Sequence, residues 1–218
     1  MSSTNFEKIL KERTHCEIKD VNYQREFEIL EATMLNMKHL KPMLHRRMNH
    51  TGLLFQDLIK NMHEKFPDKK DYVFNYDYVL AAYYANIGFV ALETSLYKSA
   101  YVTPKDIEIS NRHVHISSNL LVEKKLYKVA EIVKTHHEKP DGSGILRIQN
   151  TDKQLALLNI ADVFVDSILP SKKPEVALML SEAIHFCMKG YSSGILMDIG
   201  EQNVIVATLI SYYQESMI

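Results

Sequence analysis

A chain of 218 residues is long enough for one domain with a substantial core, and here one domain plus a short helical appendage is expected. Its formal net charge of -1 excludes nucleic-acid binding driven by bulk charge, which needs clustered Lys and Arg. No hydrophobic run spans a bilayer, no charged-then-apolar N-terminal signal is evident, and Cys16 and Cys187 fit no metal or disulfide spacing, so a soluble, cytoplasmic protein without nucleic-acid or membrane partners is expected. Seven glycines and few turn dipeptides read as a mostly helical chain.

In chain order, residues from about Phe6 to Arg13 form a short polar helix from which little follows. Between Gln24 and Leu40, Phe27, Leu30, Met34 and Met37 recur at helical spacing and make a narrow apolar seam. Such a seam packs on the body of its own domain or makes a homodimer contact through residues 24–40. Pro42 interrupts the pattern, since it lacks an amide donor and disfavours helical geometry at Lys41. The next helix, about Leu44 to Phe66, carries Leu54, Leu58 and Met62 on one stripe, with His50 near its start. After a polar loop at Pro67 to Lys70, a helix is predicted from about Tyr72 to Asn86, running into Ile87-Gly88-Phe89.

Thr103, Pro104 and Asp106 suit the N-cap, first and third positions of a helix, where the carboxylate reaches back to the cap. Along that helix His113 shares a stripe with Ile109, Ile116 and Leu120, whereas His115 falls on the polar face with Glu108, Arg112 and Asn119. Only His113 is expected to point inward. The helix from about Leu126 to His137 has Leu126, Val129, Ala130 and Val133 on its apolar face; His137 continues that stripe and His136 borders it. Adjacent helical side chains point about 100° apart, so the two imidazoles could serve two neighbouring metal ions, or one ion and one supporting contact. A helix from Asp152 to Leu169 is apolar on nearly every face, with Asp162 in its middle. A buried carboxylate must be neutralised, hydrogen-bonded or bound to a cation. Helices at about Glu175 to Lys189 and Gln202 to Glu215 read as packing.

The string His136-His137-Glu138-Lys139-Pro140-Asp141-Gly142-Ser143-Gly144 resembles the HD-GYP family of metal-dependent phosphohydrolases, whose members carry H-H-E-x-x-D-G-x-G-Y-P and hydrolyse the bacterial second messenger cyclic di-GMP. The match holds through Gly144; Ile145-Leu146 replace the Tyr-Pro. The resemblance implies an all-α HD-domain helical bundle over residues 42–218, with a helical extension over residues 1–41. It implies metal ligation by His113, His136, His137 and Asp162, with His50, and after it His45, as further candidates, and a loop shaped by Glu138, Asp141, Gly142 and Gly144.

Where the family reads H-D-I-G-K, this chain reads Ala85-Asn86-Ile87-Gly88-Phe89. Alanine has no ligand atom, a neutral asparagine oxygen is a poor bridge between two divalent cations, and Phe89 offers a phosphate no charge. The family's second aspartate falls at Val165, with Asp166 one place away; Lys172 and Lys173 lie in the following loop, solvated or facing a phosphate. The resemblance with these departures implies a non-catalytic or weakly active relative in cyclic-dinucleotide signalling, with no cofactor or one divalent ion (Fe, Mn or Zn) at partial occupancy. It would bind a cyclic dinucleotide or a protein such as a GGDEF-type domain. The alternatives are a phosphohydrolase with an altered single-metal site, and a hydrogen-bonded polar core with no ligand.

Overall fold

The computed structural model describes residues 5–14, 20–92, 103–169, 178–191 and 194–216, among which the only regular structure is helical. The α-helices are α1 (Asn5–Thr14), α2 (Val21–Leu40), α3 (Pro42–Lys65), α4 (Tyr76–Tyr84), α5 (Pro104–Asn111), α6 (His113–Glu123), α7 (Tyr127–Thr135), α8 (Lys153–Ile168), α9 (Leu180–Met188) and α10 (Ile199–Ser216). No helix of the described residues is long and apolar enough to cross a membrane.

The bundle is built on α3 and α8. Helix α3 packs against α8, α4, α10 and α2, and α8 also packs against α9. The apolarity of α8 has its counterpart in burial: Leu157, Leu158, Ile160, Phe164 and Val165 are wholly enclosed, each such large side chain contributing about 1.5–3 kcal/mol. The helix starts at Asp152, whose carboxylate accepts the amides of Gln154 at 2.8 Å and Leu155 at 3.1 Å. On α2, Phe27, Leu30 and Met34 are buried within the chain, and α2 packs on α3 and α4. Helix α1 docks through buried Leu10 and an ion pair from Arg13 to Asp57 of α3 at 2.6 Å.

Two predicted helices are divided. The segment expected to be helical from Tyr72 forms a 3-10 turn at Lys70–Tyr72 and restarts at Tyr76, because the Asn75 side chain caps the Asp77 amide at 2.9 Å. It ends at Tyr84, and a second 3-10 turn, Ile87–Ala91, follows. Ser117 of α6 holds this reversal, accepting from the Gly88 amide at 2.7 Å and donating to the Ala85 carbonyl at 3.1 Å. A Cβ on Gly88 would lie 2.3 Å from the His113 carbonyl oxygen, so only glycine lets turn and helix close up.

The helix opened by Thr103 and Asp106 has the predicted reciprocal cap but breaks at Arg112, where the His113 ring takes the Ser110 carbonyl at 2.8 Å. The break changes which face is buried. On α6 the inward residues are His113, Val114, Ser117, Ser118 and Leu121, while Ile116 and Leu120 are only half-buried. The expected stripe through Ile109, Ile116 and Leu120 is therefore displaced, although His113 stays inside and His115 stays exposed.

Candidate metal centre

Two helices deliver the three histidines. His113 is the first residue of α6, and His136 and His137 follow the last residue of α7. The Nδ1–H groups of His113 and His136 donate to the carbonyls of Ser110 at 2.8 Å and Val133 at 2.6 Å. That assignment leaves both Nε2 atoms as lone-pair donors, the arrangement by which backbone contacts orient metal-binding imidazoles. One ring nitrogen from each of the three histidines lies within 4.8 Å of the others. His113 Nε2 and His137 Nε2 are 3.2 Å apart, close to the ~3.3 Å separating two nitrogen ligands of one tetrahedral ion with bonds of about 2.0 Å. His136 Nε2 is buried and has no hydrogen-bond partner among the described residues.

Burial, reinforced by the neighbouring His136, pushes His113 down to about 3 against the hydrogen bond to Ser110. Burial likewise lowers His136, and burial together with His136 lowers His137. All three rings are neutral at physiological pH, as ligation requires.

Asp162, from the middle of α8, is fully buried, and its Oδ2 lies 3.8 Å from the Nε2 atoms of both His136 and His137. Other groups already engage it. Arg47 Nη2 of α3 lies 3.4 Å from Oδ1 and 3.3 Å from Oδ2, and Arg47 Nη1 lies 2.8 Å from Asp166 Oδ1. The Asn86 side-chain amide donates to Asp162 Oδ1. Burial alone would raise this carboxyl; the Arg47 guanidinium foremost, with His136, His137 and the Asn86 amide, overrides burial and holds it well below the usual carboxylate range. Asn86 thus presents a donor to the carboxylate, the reverse of what a bridging ligand presents to a metal. Phe89 stacks on the His113 ring at a centroid distance of 4.3 Å, with the Arg47 guanidinium 5.3 Å from the Phe89 centroid. Ala85 is buried and contributes only its carbonyl, to Ser117.

The motif loop frames the histidines. Buried Glu138 accepts the amides of Leu146 at 2.8 Å and Ile148 at 2.7 Å, so its carboxylate is spent on the loop backbone. Gly144 lies against it; a Cβ there would meet Glu138 Oε1 at 2.5 Å. Asp141 accepts the Ser143 amide at 2.9 Å beside Gly142, which turns the chain with φ of +72°.

His50 does not join the cluster. Its Nδ1 is 2.8 Å from the Tyr212 hydroxyl of α10, because the α3–α10 contact claims that face of the helix. Lys172 and Lys173 lie outside the described residues. Sequence reasoning missed Arg47 and Asn159. Arg47 is seven residues before Leu54 and eleven before Leu58, hence on the same stripe as both. Asn159, one turn before Asp162, approaches His137 Nδ1 with its amide nitrogen at 3.5 Å and accepts the Tyr191 hydroxyl at 2.9 Å.

A family model described as an HD domain matches residues 32–193. The chain belongs to the HD-domain family. The fold is shared with Bd1817, described as a HDG"Y"P protein from Bdellovibrio bacteriovorus, at a TM-score of 0.55 and 13% identity over 95% of this chain and 77% of that one. No curated protein matches. Within this HD domain, the residues present fit one ion: three imidazoles could hold it, with Asp162 as a fourth donor. They do not fit a second, because Ala85, Asn86 and Phe89 add no anionic ligand and Arg47 already compensates Asp162. A cavity of about 670 Å³ opens beside the histidines, with Arg47, Phe89, His113, His137, Lys139 and Lys189 in its lining.

Proposed function

We propose that this HD domain is a non-catalytic or weakly active relative of the HD-GYP phosphohydrolases that acts by binding a cyclic dinucleotide in bacterial signalling. The observation that carries this reading is the engagement of Asp162 by Arg47 and Asn86. A carboxylate neutralised by a guanidinium offers little charge to a metal pair, and Phe89 stands where the family places a lysine. Bound to the three histidines, a divalent iron, manganese or zinc ion would supply Lewis-acid polarisation of a phosphate oxygen or water. The leaving phosphate would lack a second cation to steady it. The cavity suits binding: Lys139 and Lys189 bring positive charge to its wall, and the exposed ring of Phe186 offers a face on which a base can stack.

The test is calorimetric titration with cyclic di-GMP, alongside chromatography of product with manganese or iron supplied anaerobically. Saturable binding that weakens in Lys139→Ala/Lys189→Ala, with no turnover, is expected. One observation favours the alternative of a single-ion phosphohydrolase, namely the 3.2 Å approach of His113 and His137 Nε2. Turnover at an ordinary enzymatic rate, abolished by Asp162→Ala, would establish that alternative.

A further inference from the structure

Arg47 bridges two carboxylates of different character. Asp162 is 1% exposed and is met by Nη2 at 3.3 Å, whereas Asp166 is 49% exposed and is met by Nη1 at 2.8 Å. The tighter contact is thus on the wet side and the looser one on the dry side. An ionised carboxylate without water around it requires a compensating cation, and the site offers two ways to provide one. The guanidinium is one. The other is an ion held by His113, His136 and His137, whose Nε2 atoms on the last two lie 3.8 Å from Asp162 Oδ2. Both draw on the same single negative charge, and in a dry site two cations sharing one carboxylate repel each other strongly.

We propose that Arg47 is a built-in competitor of the metal for Asp162. In the ion-free protein the guanidinium compensates Asp162, so the histidine cluster is stable while empty and its affinity for a divalent transition ion is held down. When an ion takes Asp162, Arg47 shifts its charge toward Asp166, the contact it already makes at shorter range. Asn86 fits this division, since a neutral amide hydrogen-bonds Asp162 without adding a second negative charge that would favour the ion. Metal loading is then graded by the Arg47–Asp166 pair. The inference rests on the reading of the three histidines as a one-ion site.

The experiment is titration of the purified full chain with zinc and with manganese against a competing chelator, together with thermal melting in the presence and absence of each ion. Arg47→Met removes the charge and keeps most of the apolar stem. It should melt lower than the parent without metal, recover on adding metal, and bind the ion about tenfold more tightly or better, the scale on which residues contacting metal ligands act. Asp166→Asn tests the opposite direction from a half-exposed position. By leaving Arg47 wholly to Asp162, it should weaken ion binding. Equal or weaker ion affinity in a folded Arg47→Met would overturn the inference while leaving the one-ion reading intact. If Arg47→Met does not fold, unchanged or increased affinity in Asp166→Asn overturns it. Failure of the parent and both variants to bind either ion overturns the inference and the one-ion reading together.

Discussion

The two sides of Asp162 differ in kind. Toward α6 and α7 stand three neutral imidazoles, two of them oriented by backbone carbonyls within three residues, and one keeps a buried nitrogen without a partner among the described residues. Toward α3 and the turn after α4 stand a guanidinium, an amide and a phenyl ring. One side gathers three histidine nitrogens within 4.8 Å of one another; the other surrounds the carboxylate with groups that satisfy it without an ion. A buried charge cannot simply be left when its partners are lost. Arg47 and Asn86 provide the compensation that Asp162 needs.

The largest effect expected follows from that dependence. Asp162→Ala leaves the Arg47 guanidinium with only half-exposed Asp166 as its carboxylate and removes the acceptor of the Asn86 amide, and should cost about 3 kcal/mol of stability in urea denaturation. Arg47→Met added to it should restore part of that loss; no restoration would break the link between the two sides. Acidification is the next probe, with chelator present. His113, His136 and His137 bind protons less readily folded than unfolded, as does Asp162. Below about pH 6.5 the unfolded chain therefore takes up protons that the folded one refuses, and stability should fall as pH falls. Melting temperatures from pH 7 to pH 4 check the sign, and a flat profile would contradict neutral buried imidazoles.

A smaller loss is expected on the histidine side. Glu138→Ala leaves the Leu146 and Ile148 amides without their acceptor and should cost about 1–3 kcal/mol by denaturation, with weaker zinc binding as the loop beside His137 loosens. Smallest of all is His115→Ala, on the exposed face of α6, expected within about 0.5 kcal/mol of the parent and without effect on zinc titration. His113→Ala, two residues away, should abolish zinc binding. Equal behaviour of the two would erase the distinction between the faces of α6.

The two sides of Asp162 are legible in the sequence to different depths. Asp162 could be picked out because a charge amid an apolar helix needs an explanation whatever surrounds it, and the adjacent histidines because local pattern and a long motif agreed. Arg47 was hidden because an arginine near the start of an amphipathic helix is ordinarily solvated; only its partner, 115 residues away, makes it exceptional. His50 failed for the converse reason: its place in the helix suited a ligand, but Tyr212 of α10 claims it.

By itself, then, the chain's order of residues determined the helical class, the reciprocal cap at Thr103 and Asp106 and the burial of α8, because these depend on period, capping chemistry and hydrophobicity within about 15 residues. The tertiary structure alone decided the break at Arg112, the reversal held by Ser117 on Gly88 and Ala85, and the pairing of Arg47 with Asp162 and Asp166. Each of these turns on a polar group finding a partner across the bundle. Which partner is near enough to satisfy a buried donor or charge is fixed by how the helices pack, and no local pattern encodes that distance.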